Sequence, residues 1–379
     1  MKRIVALLLA LMLVLASIPA ALADTAAPLV IEFWHTRGSG ANYEVTKASV
    51  DEFNATIGKE KGIEVVEIYS GSYADIVTKL QLAAQTDSKP AVAVCAGDYI
   101  STLLDDQIIA DMAPYAAETG FDFSVFFESL LDVPGNENGQ IRSLPYVRST
   151  PVFYYNKTMA DAKGLKAPET VAELEAFAKA LNTYDPATGD GCWGFELLND
   201  TTYLQGSFLW QLGESMVAAD GTSPALEGTS MLKQLTDWQN WVKEGWCRPF
   251  DSTNASLHPG DLVWITGKLT GVSNLLATAP GTTVDQCVYS AYLPGINPYS
   301  SGSMKNNIKF MTEGGYELGV ARFPTYDADK RAVEVGGGQI ALIGKGNTEE
   351  QIEAGWEFLK FLMTDEQVYL NSTRSGYLP

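Results

Sequence analysis

The sequence predicts an α/β protein of two lobes, each a mainly parallel sheet flanked by helices. Three observations lead there. Short β-branched runs alternate with stretches whose apolar residues recur at helical spacing. Strand ends run into Gly- and Ser-rich loops that open the next helix, the pattern of βα units. A length of 379 residues, 46% of them apolar, is sufficient for two hydrophobic cores.

In chain order, Leu29–Trp34 reads as a buried strand that ends in His35-Thr36-Arg37-Gly38-Ser39-Gly40. A helix over Tyr43–Asn54 follows, with Val45, Ala48, Val50 and Phe53 on one face. Ile63–Tyr69 is the second strand and Tyr73–Thr86 its helix; Ala91–Cys95 is the third strand, and Asp98–Leu104 opens another helix. Such alternation predicts a parallel sheet covered on both faces, with ligands gathering where strands end and helices begin. Trp34–Thr36, Ser70–Tyr73 and Gly97–Tyr99 therefore share one rim.

The second lobe opens on the aromatic strand Pro151–Asn156, followed by a helix over Val171–Leu181 with a threonine cap. Gly191–Phe195 reads as a strand, Thr202–Leu212 and Met231–Glu244 as helices, and Leu262–Thr266 as a short strand before a helix start at Leu269–Asn274. The stretch 279–313, rich in Gly, Pro, Ser and Asn, is expected to be an inserted surface loop. Tyr316–Phe323 and Gln339–Ile343 are strands, and Glu349–Met363 is a helix. No Ser- or Pro-rich linker separates the halves, so the chain is expected to cross between lobes more than once.

Lys2 and Arg3, the apolar run Ile4–Ile18 and Ala21-Leu22-Ala23 have the layout of a secretory signal peptide over residues 1–23. No cysteine follows the cleavage site, so no lipid-anchor thiol is expected there. With 46 acidic against 26 basic residues the formal charge is -20, which argues against a nucleic-acid partner. The four cysteines, Cys95, Cys192, Cys247 and Cys287, allow three pairings in an oxidising compartment or none at all.

Catalytic signatures are missing. The two histidines, His35 and His258, form no metal-ligating motif, and no G-x-S-x-G elbow, S-x-x-K or P-loop occurs. Asp185–Gly191 lacks the ligand alternation of a calcium loop and reads as a turn. No cofactor or metal is expected. The aromatics Trp34, Tyr73, Tyr99, Trp193, Tyr203, Trp210, Trp264 and Tyr377 fall mostly near strand ends or helix starts, where flat rings can stack on sugar C–H faces. The abundant acids leave a rival reading open, a secreted carbohydrate-active enzyme such as a glycosidase or lyase.

Five ordered motifs carry a resemblance: Ile31–Thr36; Tyr69-Ser70-Gly71-Ser72-Tyr73; Leu144–Lys157, containing Ser149-Thr150-Pro151; Val335-Gly336-Gly337-Gly338; and Ser375-Gly376-Tyr377-Leu378-Pro379. With them the chain resembles extracellular solute-binding proteins of bacterial ABC importers, in the sugar and glycerol-3-phosphate branch. The resemblance implies a two-lobed, type II periplasmic-binding-protein-like fold whose lobes are joined by crossing hinge segments and close on a ligand. Lobe 1 would comprise 24–148 plus 337–379, and lobe 2 would comprise 149–336. It also implies a carbohydrate or polyol derivative as ligand, ABC permease subunits as partners, a monomer, and a periplasmic or extracellular location. Candidate contacts are Trp34, His35, Thr36 and Tyr73, with Asp98 as the acid after the third strand. Ser149, Gly337, Gly338 and Tyr377 join them by analogy. In lobe 2 the candidates are Asn199 and Thr202, standing where relatives carry paired tryptophans, Trp210, and Gly271 and Ser273 at a helix start. Relatives continue beyond Gly-Tyr-Leu-Pro into further helices that this sequence lacks, which leaves a truncated, non-binding remnant as a further alternative.

Overall fold

The computed structural model describes residues 27–83, 89–183, 193–197, 206–218, 222–225, 229–249, 296–313, 315–333 and 335–379. Among these, ten strands form two five-stranded sheets. The first contains β1 (Leu29–His35), β2 (Ile63–Tyr69), β3 (Val92–Ala96), β4 (Leu144–Ser149) and β10 (Gly336–Leu342), in the order β2-β1-β3-β10-β4. The second contains β5 (Pro151–Asn156), β6 (Phe195–Leu197), β7 (Cys247–Pro249), β8 (Ile296–Ser300) and β9 (Leu318–Arg322), in the order β7-β6-β8-β5-β9.

Both sheets are mainly parallel, and each carries one reversed strand in the fourth place. β10 runs antiparallel to β3 and β4, and β5 runs antiparallel to β8 and β9. These are the strands on which the chain enters one sheet from the other. β4 ends at Ser149 and β5 begins at Pro151, so a strand that crosses over a single residue must start where its new neighbours finish.

In the first sheet the pleat sends alternate residues to opposite faces. Ile31, Phe33, Val65, Val92, Val94, Ile340 and Leu342 meet α1 (Gly40–Ala55) on one side, while Trp34, Ala93, Cys95 and Ala341 meet α2 (Tyr73–Ala83) and α3 (Ile100–Asp105) on the other. A small helix, α4 (Ala113–Thr119), flanks the first of these cores. The second sheet packs on α5 (Val171–Leu181), α6 (Gly206–Gln211) and α7 (Thr229–Lys243) through Phe153, Phe195, Phe208, Trp238, Trp241 and Trp246. Thr170 and Glu173 start α5 with reciprocal side-chain bonds to backbone N–H groups, which satisfies donors that a helix end leaves open.

Residues 296–313, expected as loop, form β8, a 3-10 turn and α8 (Met304–Glu313), and β8 lies in the middle of the second sheet. Its sequence, Ile-Asn-Pro-Tyr-Ser, hides it. Pro298 lacks an N–H, but the ladder with β6 involves only Ile296, so Pro298 stands beyond that pairing. After α9 (Glu349–Leu362) the structure adds α10 (Asp365–Ser375), whose polar sequence gave no helical pattern. The expected strand 262–266, the helix start 269–274, the turn 185–191 and the leader 1–23 lie outside the described residues.

Candidate functional site

The two sheets meet at Thr150. Its N–H donates to Ser301 Oγ (3.2 Å) and its carbonyl accepts from Ser301 N–H (2.9 Å). The Tyr154 hydroxyl donates to the Ser300 carbonyl at 2.8 Å, tying the end of β8 to the start of β5. On the returning segment the Arg148 guanidinium donates to the carbonyls of Val335 (2.6 Å) and Gly337 (3.3 Å), while Gly336 pairs with Ser149 in the ladder. The carboxyl ends of β4 and β8 therefore converge on one junction, the place where open α/β sheets collect ligands.

On the first sheet's rim, Tyr73 opens α2 and its hydroxyl lies 3.0 Å from where a Cβ on Gly338 would stand. Thr36 hydrogen-bonds the Tyr73 side chain, and burial holds the phenol far above its ordinary pKa, so Tyr73 stays a neutral donor and acceptor. Gly337 has φ +96°, and a Cβ there would collide with the Val147 carbonyl of the neighbouring strand. Only glycine lets β10 lie this close to β4 in that conformation. Tyr377 follows the left-handed Gly376 cap of α10, and its backbone N–H donates to Ser375 Oγ at 3.1 Å. The adjoining Leu378 N–H donates to the Arg148 carbonyl at 2.8 Å. Thr36, Tyr73, Gly337, Gly338, Ser149 and Tyr377 thus come from five separated motifs to one rim.

Two expected contacts stand elsewhere. Trp34 packs in the core with Ile76 and Leu80, its indole N–H donating to Glu32 at 2.8 Å. His35 is 1% exposed and turned inward: one ring nitrogen meets Glu67 Oε2 at 2.7 Å and Nδ1 accepts the Arg37 N–H at 3.2 Å. A residue that ends a buried strand serves the sheet before it serves a ligand, and the alternation that points Phe33 to one core does not reveal which neighbour His35 finds. Asp98 is exposed in the 3-10 turn after β3. Trp210 is 44% exposed on α6. Asn199, Thr202, Gly271 and Ser273 lie outside the described residues.

Burial lowers the His35 pKa from 6.5, against the opposing pull of Glu67. The neutral ring is the form that accepts from Arg37, so folding opposes protonation. This stability contribution is fully present above about pH 6.5 and is lost as pH falls through the lowered folded value. Urea unfolding of wild type should therefore lose stability as pH falls below about 6.5, and His35→Gln should flatten that slope. Identical slopes for the two proteins would remove His35 as its origin.

Sequence reading gave no role to Arg37, Tyr146 and Arg148: the Arg37 guanidinium lies over the Tyr377 and Tyr146 rings, and Arg148 bonds the carbonyls of Val335 and Gly337. Each was legible only as a single charge or ring in a strand or loop. Cys95 is a free thiol buried in β3, its pKa pushed up to about 12 by burial. Cys247 is buried in the second core, and Cys192 and Cys287 lie outside the described residues. Among the described residues no group of three or more His, Cys, Asp or Glu could hold a metal ion, and no helix is long and apolar enough to cross a membrane.

Two α/β lobes meeting at a strand-end junction are the fold of the type II periplasmic class. Residues 48–379 match the family model of the bacterial extracellular solute-binding proteins, and the chain belongs to that family. Among its relatives is the sn-glycerol-3-phosphate-binding periplasmic protein UgpB of Brucella abortus, 24% identical over 363 residues that cover 92% of this chain and 74% of the relative. The UgpB protein of Escherichia coli is also 24% identical, over 95% of this chain and 76% of its own. Similar folds include Mycobacterium tuberculosis UgpB in complex with glycerophosphocholine, with a TM-score of 0.70 and 19% identity over 93% of this chain and 79% of that one. The GacH receptor of Streptomyces glaucescens, solved unliganded and with acarbose, also gives a TM-score of 0.70, at 16% identity over 93% and 80%.

Proposed function

We propose that the chain is the substrate-binding subunit of an ABC importer. It captures a sugar, oligosaccharide or polyol derivative, with glycerol 3-phosphate among the candidates, and delivers it chemically unchanged to a membrane permease. The observation that carries this reading is the convergence of Thr36, Tyr73, Ser149, Gly337, Gly338 and Tyr377 at the junction of the two sheets. Neutral phenols, hydroxyls and glycine backbone suit hydroxyl-bearing ligands, because rings stack on C–H faces while amides and hydroxyls meet OH groups. Asp98 adds an acceptor on the same rim. On this reading Trp210 joins them from the second lobe, and the family resemblance adds Asn199, Thr202, Gly271 and Ser273 as candidate contacts. Closure follows if ligand binds the closed arrangement better than the open one. The protein acts as a non-catalytic monomer, exported by residues 1–23 to the periplasm or cell exterior, with no nucleic-acid partner.

Calorimetric titration with sn-glycerol 3-phosphate, glycerophosphocholine and maltose should give saturable binding for at least one. Tyr73→Ala should weaken that binding by about tenfold or more, the scale of losing a ring contact and its hydrogen bonds. Folded protein that binds none of a broad sugar and polyol panel would overturn the assignment. Recovery of the ligand in cleaved form would favour an enzyme.

A further inference from the structure

Arg37 is 5% exposed, yet it makes no ion pair with a carboxylate among the described residues. Its guanidinium donates to Thr46 Oγ1 on α1 (3.1 Å) and to Asn371 Oδ1 on α10 (3.0 Å), and its Nε has no hydrogen-bond partner. Two tyrosines take the place of a counter-ion: the guanidinium carbon lies 4.8 Å from the Tyr377 ring centroid and 5.4 Å from that of Tyr146. Burying a cation without a carboxylate is costly, and aromatic faces return part of that cost only if they stay in place over it. The stack therefore fixes the rings as much as the rings hold the arginine.

The Tyr377 ring also reaches the other lobe. A Cβ on Gly302, just past β8, would lie 2.7 Å from it, and a Cβ on Gly376 would lie 2.5 Å from the Ser301 carbonyl. Asn42 Nδ2 donates to the Gly302 carbonyl at 3.3 Å, and Ser301 is bonded to Thr150. Tyr377 is thus pinned between an arginine of the first lobe and a glycine of the second.

We propose that Arg37 is a positioning residue that holds Tyr377 at the interlobe contact and through it sets the affinity of the cleft. The affinity half rests on the reading of the cleft as the ligand site; the positioning half does not. Lysine replaces it only in part, because an ammonium lacks the rigid fork of donors by which the guanidinium reaches Thr46 and Asn371 while lying over the rings.

The test places 3-fluorotyrosine at Tyr377 in the full chain and records its fluorine resonance. Arg37→Met should shift and broaden that resonance, Arg37→Lys should do so to a lesser degree, and Gly302→Ala should disturb the same resonance from the opposite side. With sn-glycerol 3-phosphate as titrant, Arg37→Met should raise Kd by about tenfold, the order of one lost desolvated cation–π contact. In the Tyr377→Ala background the same substitution should change Kd by less than about twofold, as the pathway through Tyr377 requires. A resonance unmoved by Arg37→Met overturns the proposal, as does an equal loss of affinity with Tyr377 absent. If Arg37→Met fails to fold, Arg37→Lys decides by the same readouts. If wild type binds neither this probe nor any member of the sugar and polyol panel, the functional reading fails while the fluorine spectrum still decides whether Arg37 positions Tyr377.

Discussion

Gly337→Ala should be among the most damaging single-methyl substitutions in the protein. Its φ of +96° already penalises any side chain, and the added Cβ would strike the Val147 carbonyl on β4, a backbone atom held in a ladder that cannot retreat. Left-handed backbone alone costs an L-residue about 1–2 kcal/mol, and the collision should bring the total to about 3 kcal/mol or more. Gly120, the cap after α4, is the control: its φ is +69° and nothing lies within 4 Å of a Cβ there. Gly120→Ala should show the conformational penalty alone, about 1 kcal/mol. Urea unfolding of both variants separates the two effects, and equal losses would refute the clash. Because Gly337 adjoins the Tyr73 contact at Gly338, the variant that does fold should also bind ligand more weakly.

The second large effect belongs to Phe358, fully buried on α9. Its ring meets Phe33 of β1 at 5.2 Å and Phe53 of α1 at 5.1 Å, both edge-on. Phe358→Ala removes these contacts and leaves a cavity where a strand and two helices meet. The expected cost is about 3–5 kcal/mol, read from the urea midpoint. Phe358→Leu, which keeps most of the volume, should cost about 1.5 kcal/mol or less. A loss below 1 kcal/mol for the alanine variant would mean that α9 can collapse onto β1, which the close approach of Gly355 to Ala91 and Leu342 argues against.

Much of both lobes was legible where the signals are local. β2 and α5 have the limits their sequences suggest, and the helix starts follow cap chemistry at Thr170 and Thr348. What stayed hidden depends on distant partners. β8 looks like loop because its strand character comes from neighbours on β5, not from Asn297 or Pro298. Strand direction was unreadable too: periodicity reports which face is buried and carries no information on whether β10 runs up or down. For the site, motif order named candidates without their orientation, and only the fold shows that His35 turns towards Glu67 while Thr36 turns towards Tyr73. Arg37 read only as a lone charge in a loop, since its meaning lies in the rings of Tyr146 and Tyr377, more than a hundred positions away.

The reversed strand at the fourth place of the first sheet has a consequence for biogenesis. While the chain is being made, β3 and β4 have no partner to join them until 336–342 emerges near the end. β1, β2 and β3 can pair early, but the sheet cannot be completed until β10 joins β3 to β4, and such long-range contacts are slow to form. The described strands of the second sheet, 151–156 to 318–322, are all made before the strand that closes the first, so the first sheet is completed only after the second has all its strands.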